Sequence, residues 1–459
     1  MIHSSSSIWC FHSTFIPKLN NSVIQPKNNR CQVKKRFSRS SPLLVASTPT
    51  ASKQMTRVPR NPNLAKLEAG YLFPEIARRR NAYLEKHPTA NIISLGIGDT
   101  TQPIPAHVAQ KMAERALALA TPEGYSGYGP DLGDPELRKK ISERLYGGKV
   151  DIDEVFVSDG AKCDIGRLQM MFGPGVDIAV QDPSYPVYVD SAVIVGQTGT
   201  KNGSLYENIR YMTCLPENNF FPQLDKVPRA DIIFFCSPNN PTGAAATREQ
   251  LEKLVQYAKN NGSIIVYDAA YAPFIRDENI PQSIFEIEGA NEVALECNSF
   301  SKYAGFTGVR LGWVVCPKSL QFADGSFVHK DFRRIFTTCF NGASSLAQAG
   351  GLAVLDDKGM QEVRRLTDYY LENAHILSSA MRDLGLKVFG GENSPYVWVQ
   401  FPGRSSWDIF EELLERAQIV TVPGSGFGSG GESFLRLSAF ASREQCLEAK
   451  SRLEKMFGK

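Results

Sequence analysis

Between residues 107 and 340, short apolar runs alternate with stretches of helical spacing. The runs at 155–157, 177–180, 232–235, 264–267, 293–295 and 311–316 are almost continuously hydrophobic, as expected of strands covered on both faces rather than one. Segments such as 247–260 repeat apolar residues every three or four positions and fill the gaps as amphipathic helices. That alternation predicts an α/β domain built on a largely parallel sheet. From about 345 the pattern changes. A long helical stretch (360–383) leads to strand signals at 386–389 and 396–401, a helix at 407–417, further strands at 419–422 and 434–437, and a final helix, predicting a smaller α+β domain. Upstream, 92–96 reads as a short strand ahead of Gly98-Asp99, and 67–86 has helical spacing broken by Pro74, like an arm lying on another surface. The expected division is a leader at 1–50, an arm and the start of the small domain at 51–106, a large domain at 107–340 and a small domain at 341–459.

Charge changes the picture at one end only. The 459 residues carry a formal net charge of +3, which says little about partners, but no acidic residue precedes Glu68 and residues 1–67 hold eleven Lys or Arg. The rest is mildly acidic, with 40 basic against 48 acidic residues. The leader is also rich in serine (Ser4 to Ser7, Ser13, Ser22, Ser38, Ser40, Ser41) and lacks a single apolar core segment. This composition resembles an organelle transit peptide, plastid more than mitochondrial, and places the protein in the chloroplast stroma. A basic tail for an anionic surface is the alternative. Seven cysteines follow the leader, an odd number without Cys-x-x-Cys, arguing for a reduced compartment. The six histidines show no metal-ligand spacing, and neither a membrane span nor nucleic-acid binding is expected.

The candidate chemistry begins at Ser299-Phe300-Ser301-Lys302-Tyr303-Ala304-Gly305-Phe306-Thr307-Gly308-Val309-Arg310. An amine beside two hydroxyls and a cation suits a lysine that forms a Schiff base to an aldehyde bearing a phosphate. The segment resembles the cofactor-lysine motif of fold-type I aminotransferases, which use pyridoxal 5'-phosphate. That resemblance asks for further partners, and each has a candidate. Asp268 ends the run 264–267 and would sit at the ring nitrogen; a helix N-cap is its other reading. Tyr271, three residues on, matches the family's ring-phenolate contact. Asn240, in Ser237-Pro238-Asn239-Asn240-Pro241-Thr242-Gly243, offers an amide to the same oxygen. Ser158-Asp159-Gly160-Ala161-Lys162 joins a strand to a helix, so the N–H groups near Ala161 and Lys162 would cradle phosphate with Ser299, Ser301 and Arg310. Tyr185 suits an aromatic face on the ring or a place in the core. Arg436, alone in an apolar strand, would clamp a carboxylate in bidentate fashion or face solvent. The glycines of Gly426-Phe427-Gly428-Ser429-Gly430-Gly431 do not open a helix, and read as a flexible turn rather than a dinucleotide fingerprint.

The resemblance narrows along the body, from about 58 to 457. Gly70-Tyr71-Leu72-Phe73-Pro74-Glu75-Ile76, Ser94-Leu95-Gly96-Ile97-Gly98-Asp99-Thr100-Thr101, Glu123-Gly124-Tyr125-Ser126-Gly127-Tyr128-Gly129 and Pro423-Gly424-Ser425-Gly426-Phe427-Gly428 are similar to the plant LL-diaminopimelate aminotransferase family. The resemblance implies a seven-stranded, mostly parallel sheet and a homodimer with shared active sites. It implies transfer between LL-diaminopimelate and 2-oxoglutarate in lysine biosynthesis. It also implies substrate contacts from Tyr71, Gly98, Lys162, Tyr185, Asn240 and Arg436, with Tyr128 and Asn341 reaching across from the partner. One position departs. Tyr128-Gly129-Pro130-Asp131-Leu132-Gly133 has aspartate where the family's glutamate is expected to meet the distal amino group, and the shorter side chain would lengthen that bond or call for water. This leaves open a paralogous plant defence aminotransferase that acts on lysine. The cofactor anchors themselves do not separate an aminotransferase from a lyase on the same fold.

Overall fold

The computed structural model describes residues 56–67, 72–96, 98–203 and 205–458. The expected transit peptide at 1–50 and Tyr71 lie outside the described residues. Seven strands form the main sheet: β1 (Val155–Ser158), β2 (Ile178–Asp182), β3 (Ile209–Thr213), β4 (Ile232–Cys236), β5 (Ile264–Asp268), β6 (Ala294–Ser299) and β7 (Gly312–Val315). Their order is β1-β7-β6-β5-β4-β2-β3. All neighbouring pairs are parallel except those made by β7, which runs antiparallel to both β1 and β6. Six of these strands follow the apolar runs. β3 was not expected, because as an edge strand it buries only Ile209 and Met212 and leaves Arg210 and Tyr211 half-covered.

Because side chains alternate across a strand, the sheet feeds two cores. Phe234, Cys236, Val266, Leu295 and Cys297 face one side; Ile233, Phe235, Ile265, Tyr267 and Ala294 face the other. Helix Arg248–Asn261 shows how the covering layer is specified. Thr247 caps its start in a reciprocal box with Gln250, Gly262 ends it at φ 60°, and Leu251, Leu254, Val255 and Ala258 make the buried stripe. Pro74 does not break the N-terminal helix Leu72–Lys86. It sits in the first turn, where no intrahelical N–H bond is lost.

A second sheet of four strands, β8 (Lys387–Gly390), β9 (Tyr396–Gln400), β10 (Val422–Pro423) and β11 (Phe434–Ser438), has the order β8-β9-β11-β10 and is antiparallel throughout. Trp398 stacks on Phe434 at its centre, ring centroids 5.0 Å apart. The short strand Ile93–Ser94 pairs in parallel with Ile419–Val420, and Ser438 N–H donates to the Leu95 carbonyl at 2.7 Å, so the stretch leading to Gly98 is stitched beside β11. Pro59–Lys459 make one compact unit.

The glycine run at 426–431 is a turn, but a packed one rather than a flexible one. A Cβ on Gly424 would lie 2.1 Å from the Gly431 carbonyl oxygen. Asp182, at the end of β2, accepts bonds from Ser429 Oγ (2.6 Å) and Gly430 N–H (3.0 Å). Asp182→Ala would remove the two hydrogen bonds that tie this turn to β2, and should lower stability by about 1–3 kcal/mol for the pair, read from denaturant midpoints.

Candidate active site

The strands of the parallel core all deliver polar groups at the same end. Ser158 closes β1, Cys236 β4, Asp268 β5 and Ser299 β6. The carboxyl ends of parallel strands are where ligand clefts form in open α/β sheets, and here they border a cavity of about 630 Å³. Lys302, Asp268, Asn240, Tyr271, Tyr185, Ser299, Ser301 and Arg310 all line it, as do Ala161, Lys162, Gly98 and Arg436.

Lys302 sits on the short helix Phe300–Tyr303, capped by Ser299, whose hydroxyl accepts the Ser301 N–H at 3.0 Å. Its Nζ donates to the Gly98 carbonyl and lies 5.4 Å from the Phe440 ring centre. Burial lowers its pKa to about 8; Asp99 pulls the other way, and Arg436, Arg310 and Lys162 add to the lowering. Such an amine is largely neutral in mildly alkaline solution, the form a nucleophile requires.

Asp268 is buried, which raises its pKa, while Tyr188 O–H (2.7 Å to Oδ2) and Ala270 N–H (3.0 Å to Oδ1) support the carboxylate. It caps no helix: the following turn, Ala272–Phe274, begins at Tyr271. The Tyr271 hydroxyl meets that of Tyr396 at 2.7 Å, and burial pushes the Tyr271 phenol well up.

At the far wall the helix Ala161–Phe172 begins at Gly160 without a side-chain cap, so its first N–H groups point into the cavity's end. Gly160 has φ 121°, and a Cβ there would lie 2.4 Å from Arg310 Nη2; only glycine lets the guanidinium onto this loop. Arg310 Nη1 donates to Ser301 Oγ at 3.1 Å. Ser299 lines the cavity too, but its hydroxyl is occupied by the cap and by the Leu311 carbonyl at 3.4 Å. Behind the loop, Asp164 accepts the Ser158 hydroxyl at 2.5 Å and pairs with Arg167, which also holds Asp159 at 2.8 Å.

Arg436 is 1% exposed, which removes the solvent-facing reading. Nη1 donates to Asn240 Oδ1 (2.6 Å) and Nη2 to the Gly96 carbonyl (2.7 Å), whereas Nε is buried with no partner. Asn240 thereby spends its carbonyl on Arg436 and keeps Nδ2 as a donor. Lys162 Nζ lies 5.8 Å from the Tyr185 ring centre.

Three expected residues stand apart from this cavity. Tyr128 is 88% exposed, and Asp131 and Asn341 are exposed as well. They share one patch: a Cβ on Gly342 would come 3.7 Å from the Pro130 carbonyl oxygen. Tyr71 falls outside the described residues. Conversely, Tyr188 and Tyr396 hold Asp268 and Tyr271 and were missed, as were Phe73 and Thr307 in the lining. Tyr188 could have been found, since it follows Tyr185 by three residues at a helix start; for Tyr396, inside an apolar strand, no local signal exists.

The pattern of the aminotransferase class I and II family matches residues 90–453. The chain belongs to this family. Among relatives, it is 57% identical over 462 residues to LL-diaminopimelate aminotransferase, chloroplastic, of Arabidopsis thaliana, covering 100% of this chain and 98% of that protein. It is 57% identical over 402 residues to LL-diaminopimelate aminotransferase of Protochlamydia amoebophila, covering 86% and 97%. Among solved structures, L,L-diaminopimelate aminotransferase from Chlamydomonas reinhardtii superposes with a TM-score of 0.86 at 58% identity, over 88% of this chain and 100% of that one. As an aminotransferase of this class, with these neighbours, the chain has the fold-type I architecture expected from its pattern. Enzymes of the class generally depend on pyridoxal phosphate.

The folded Lys302 amine has a pKa of about 8 against an ordinary 10.5, so the unfolded chain binds more protons between these values and stability rises with pH there. Lys302→Met in cofactor-free protein should therefore be stabilising below about pH 8. The advantage should shrink as pH climbs toward 10.5, as followed by denaturation midpoints across the series.

Proposed function

We propose that this chain is a plastid aminotransferase that interconverts LL-diaminopimelate and 2-oxoglutarate with tetrahydrodipicolinate and glutamate, using pyridoxal 5'-phosphate. One observation carries the reading: a single cavity brings together a buried amine of lowered pKa (Lys302), a buried carboxylate (Asp268) and a buried guanidinium whose Nε lacks a partner (Arg436). The residues fit the cofactor. The uncapped helix start at Ala161 and Lys162, with Ser301 and Arg310, would hold its phosphate, and Ser299 would join them by turning its hydroxyl proton from the long 3.4 Å contact with the Leu311 carbonyl. Asn240 Nδ2 and the Tyr271 hydroxyl would meet the ring oxygen, Asp268 the ring nitrogen, and Tyr185 a ring face. When bound, the cofactor supplies an electron sink that makes the substrate's α-proton acidic.

The chain's own residues divide the remaining work. Arg436 binds the α-carboxylate and fixes the α-carbon, an orientation effect that a lysine's point charge would not reproduce. Lys302 Nζ takes the α-proton and returns it, a role matched by its pKa of about 8. Asp268, supported by Tyr188, supplies the negative charge that favours a protonated ring nitrogen. Gly98 has no room for a side chain, since a Cβ there would lie 2.5 Å from the Tyr396 hydroxyl, so its backbone can close on the substrate together with Tyr71 and Lys162.

The exposed patch of Tyr128, Asp131 and Asn341 is assigned to a second copy's cavity, making the unit a homodimer with shared sites. On this reading 107–340 binds the cofactor, while 51–106 and 341–459 bring Gly98 and Arg436 to the substrate. The acid-free leader and the relative named chloroplastic support import into the plastid. The relatives' names favour diaminopimelate over lysine despite the shorter Asp131.

Purified protein should form glutamate from LL-diaminopimelate and 2-oxoglutarate in a coupled assay; activity on lysine without activity on diaminopimelate would overturn the assignment. Lys302→Ala should abolish the visible absorbance of the bound cofactor and cut turnover by roughly 10²–10⁴-fold. Mixing Lys302→Ala with Tyr128→Ala chains, each impaired alone, should restore activity, because one site of each hybrid dimer is intact. No recovery in hybrids that demonstrably form would refute the shared site.

A further inference from the structure

A second cavity, of about 610 Å³, lies on the sheet face opposite the Lys302 cavity, between the helices Pro135–Tyr146 and Asp357–Asp383. Its floor is polar but self-contained. Glu296 accepts bonds from Tyr146 O–H (2.8 Å), Asn298 (2.7 Å), Ser283 O–H (2.6 Å) and Ile284 N–H (2.9 Å), and Trp313 Nε1 donates to the Tyr146 oxygen at 2.8 Å. Burial pushes the Glu296 carboxyl up to about 7. With its acceptor positions filled it offers little to a cation, and the burial that favours its neutral form lessens its charge toward an anion.

The rim is strongly cationic. Arg144, on the first helix, and Arg364 and Arg365, on the second, all line the cavity. Arg144 pairs with Asp357, and Arg364 with Asp368 at 3.3 Å, at largely exposed positions where such pairs are weak. Arg365 has no ion-pair or hydrogen-bond partner among the described residues, and the same holds for the Tyr303 hydroxyl, toward which Arg364 and Arg276 direct their charge. A mixed aromatic and polar cavity with convergent donors is the form small-molecule sites take.

We infer that this cavity binds a small organic dicarboxylate, one acid group on Arg144 and the other on Arg364, Arg365 and the Tyr303 hydroxyl, with its carbon body against Trp313. Separate cationic walls on two helices select a two-headed anion over a single one. Occupancy reaches the reactive amine through the chain itself, since Tyr303 follows Lys302 and Asn298 precedes Ser299. The site is therefore regulatory in position. It does not depend on which reaction the Lys302 cavity performs, and its test reads binding rather than turnover.

The probe is glutarate, titrated into the cofactor-loaded full-length protein while tryptophan emission and heat of binding are followed. Trp313 lines this cavity, and there are four tryptophans in all, so Trp313→Phe assigns the optical signal. Saturable binding should survive in Arg436→Ala, and weaken roughly tenfold or more in Arg144→Ala and in the exposed double variant R364A/R365A, with circular dichroism unchanged. Binding lost in Arg436→Ala and kept in both rim variants would place glutarate in the Lys302 cavity alone and overturn the inference. Absence of saturable binding would do the same, and inorganic phosphate binding as tightly as glutarate would refute the two-headed ligand.

Discussion

Arg436 is the interaction on which the site's geometry rests. One guanidinium reaches two separate parts of the chain, the loop after β4 through Asn240 and the N-terminal strand through the Gly96 carbonyl. Its flat faces are covered by Tyr396 (4.3 Å) and Phe427 (5.0 Å). A buried cation of this kind is costly unless its donors are used, and here the fold uses two nitrogens and leaves Nε free. The requirement to satisfy this charge therefore both fastens the antiparallel sheet to the cavity and leaves a standing demand for an anion.

The other side of the cavity is held by a different logic, in which charge is balanced locally. Asp159, Asp164 and Arg167 form a compact set behind the Ser158–Gly160 loop, and burial raises Asp164 to about 7 while Arg167 opposes it. Arg167 also lies 4.2 Å over Phe340, the neighbour of Asn341. The loop at the helix start is thus in contact, through Arg167, with the segment that presents Asn341 at the surface.

Much of this was legible in the chain, and the gaps have physical causes. Buried parallel strands announce themselves because both faces must be apolar, which is why 232–235 and 264–267 were readable and the edge strand Ile209–Thr213 was not. Lys302, Asp268 and Asn240 were visible because each interrupts an apolar run or begins a turn just after one. Tyr188 and Tyr396 were invisible for the opposite reason: an aromatic that fills the core and also donates one hydrogen bond has the same local pattern as one that only fills it. The glycines at 424–431 misled because their number suggests freedom, whereas they are small in order to let two backbones touch.

The strand Ala294–Ser299 acts as a party wall. Leu295 and Cys297 pack into the core on one side, where Ser299 lines the room that contains Lys302, while Glu296 and Asn298 line the room ringed by arginines. Parity alone decides which tenant each side chain meets. Inserting or deleting a single residue ahead of Ser299 would leave composition and hydropathy nearly untouched, yet would hand the carboxylate of Glu296 to the wrong room. Length, more than identity, is what evolution must guard along these six residues.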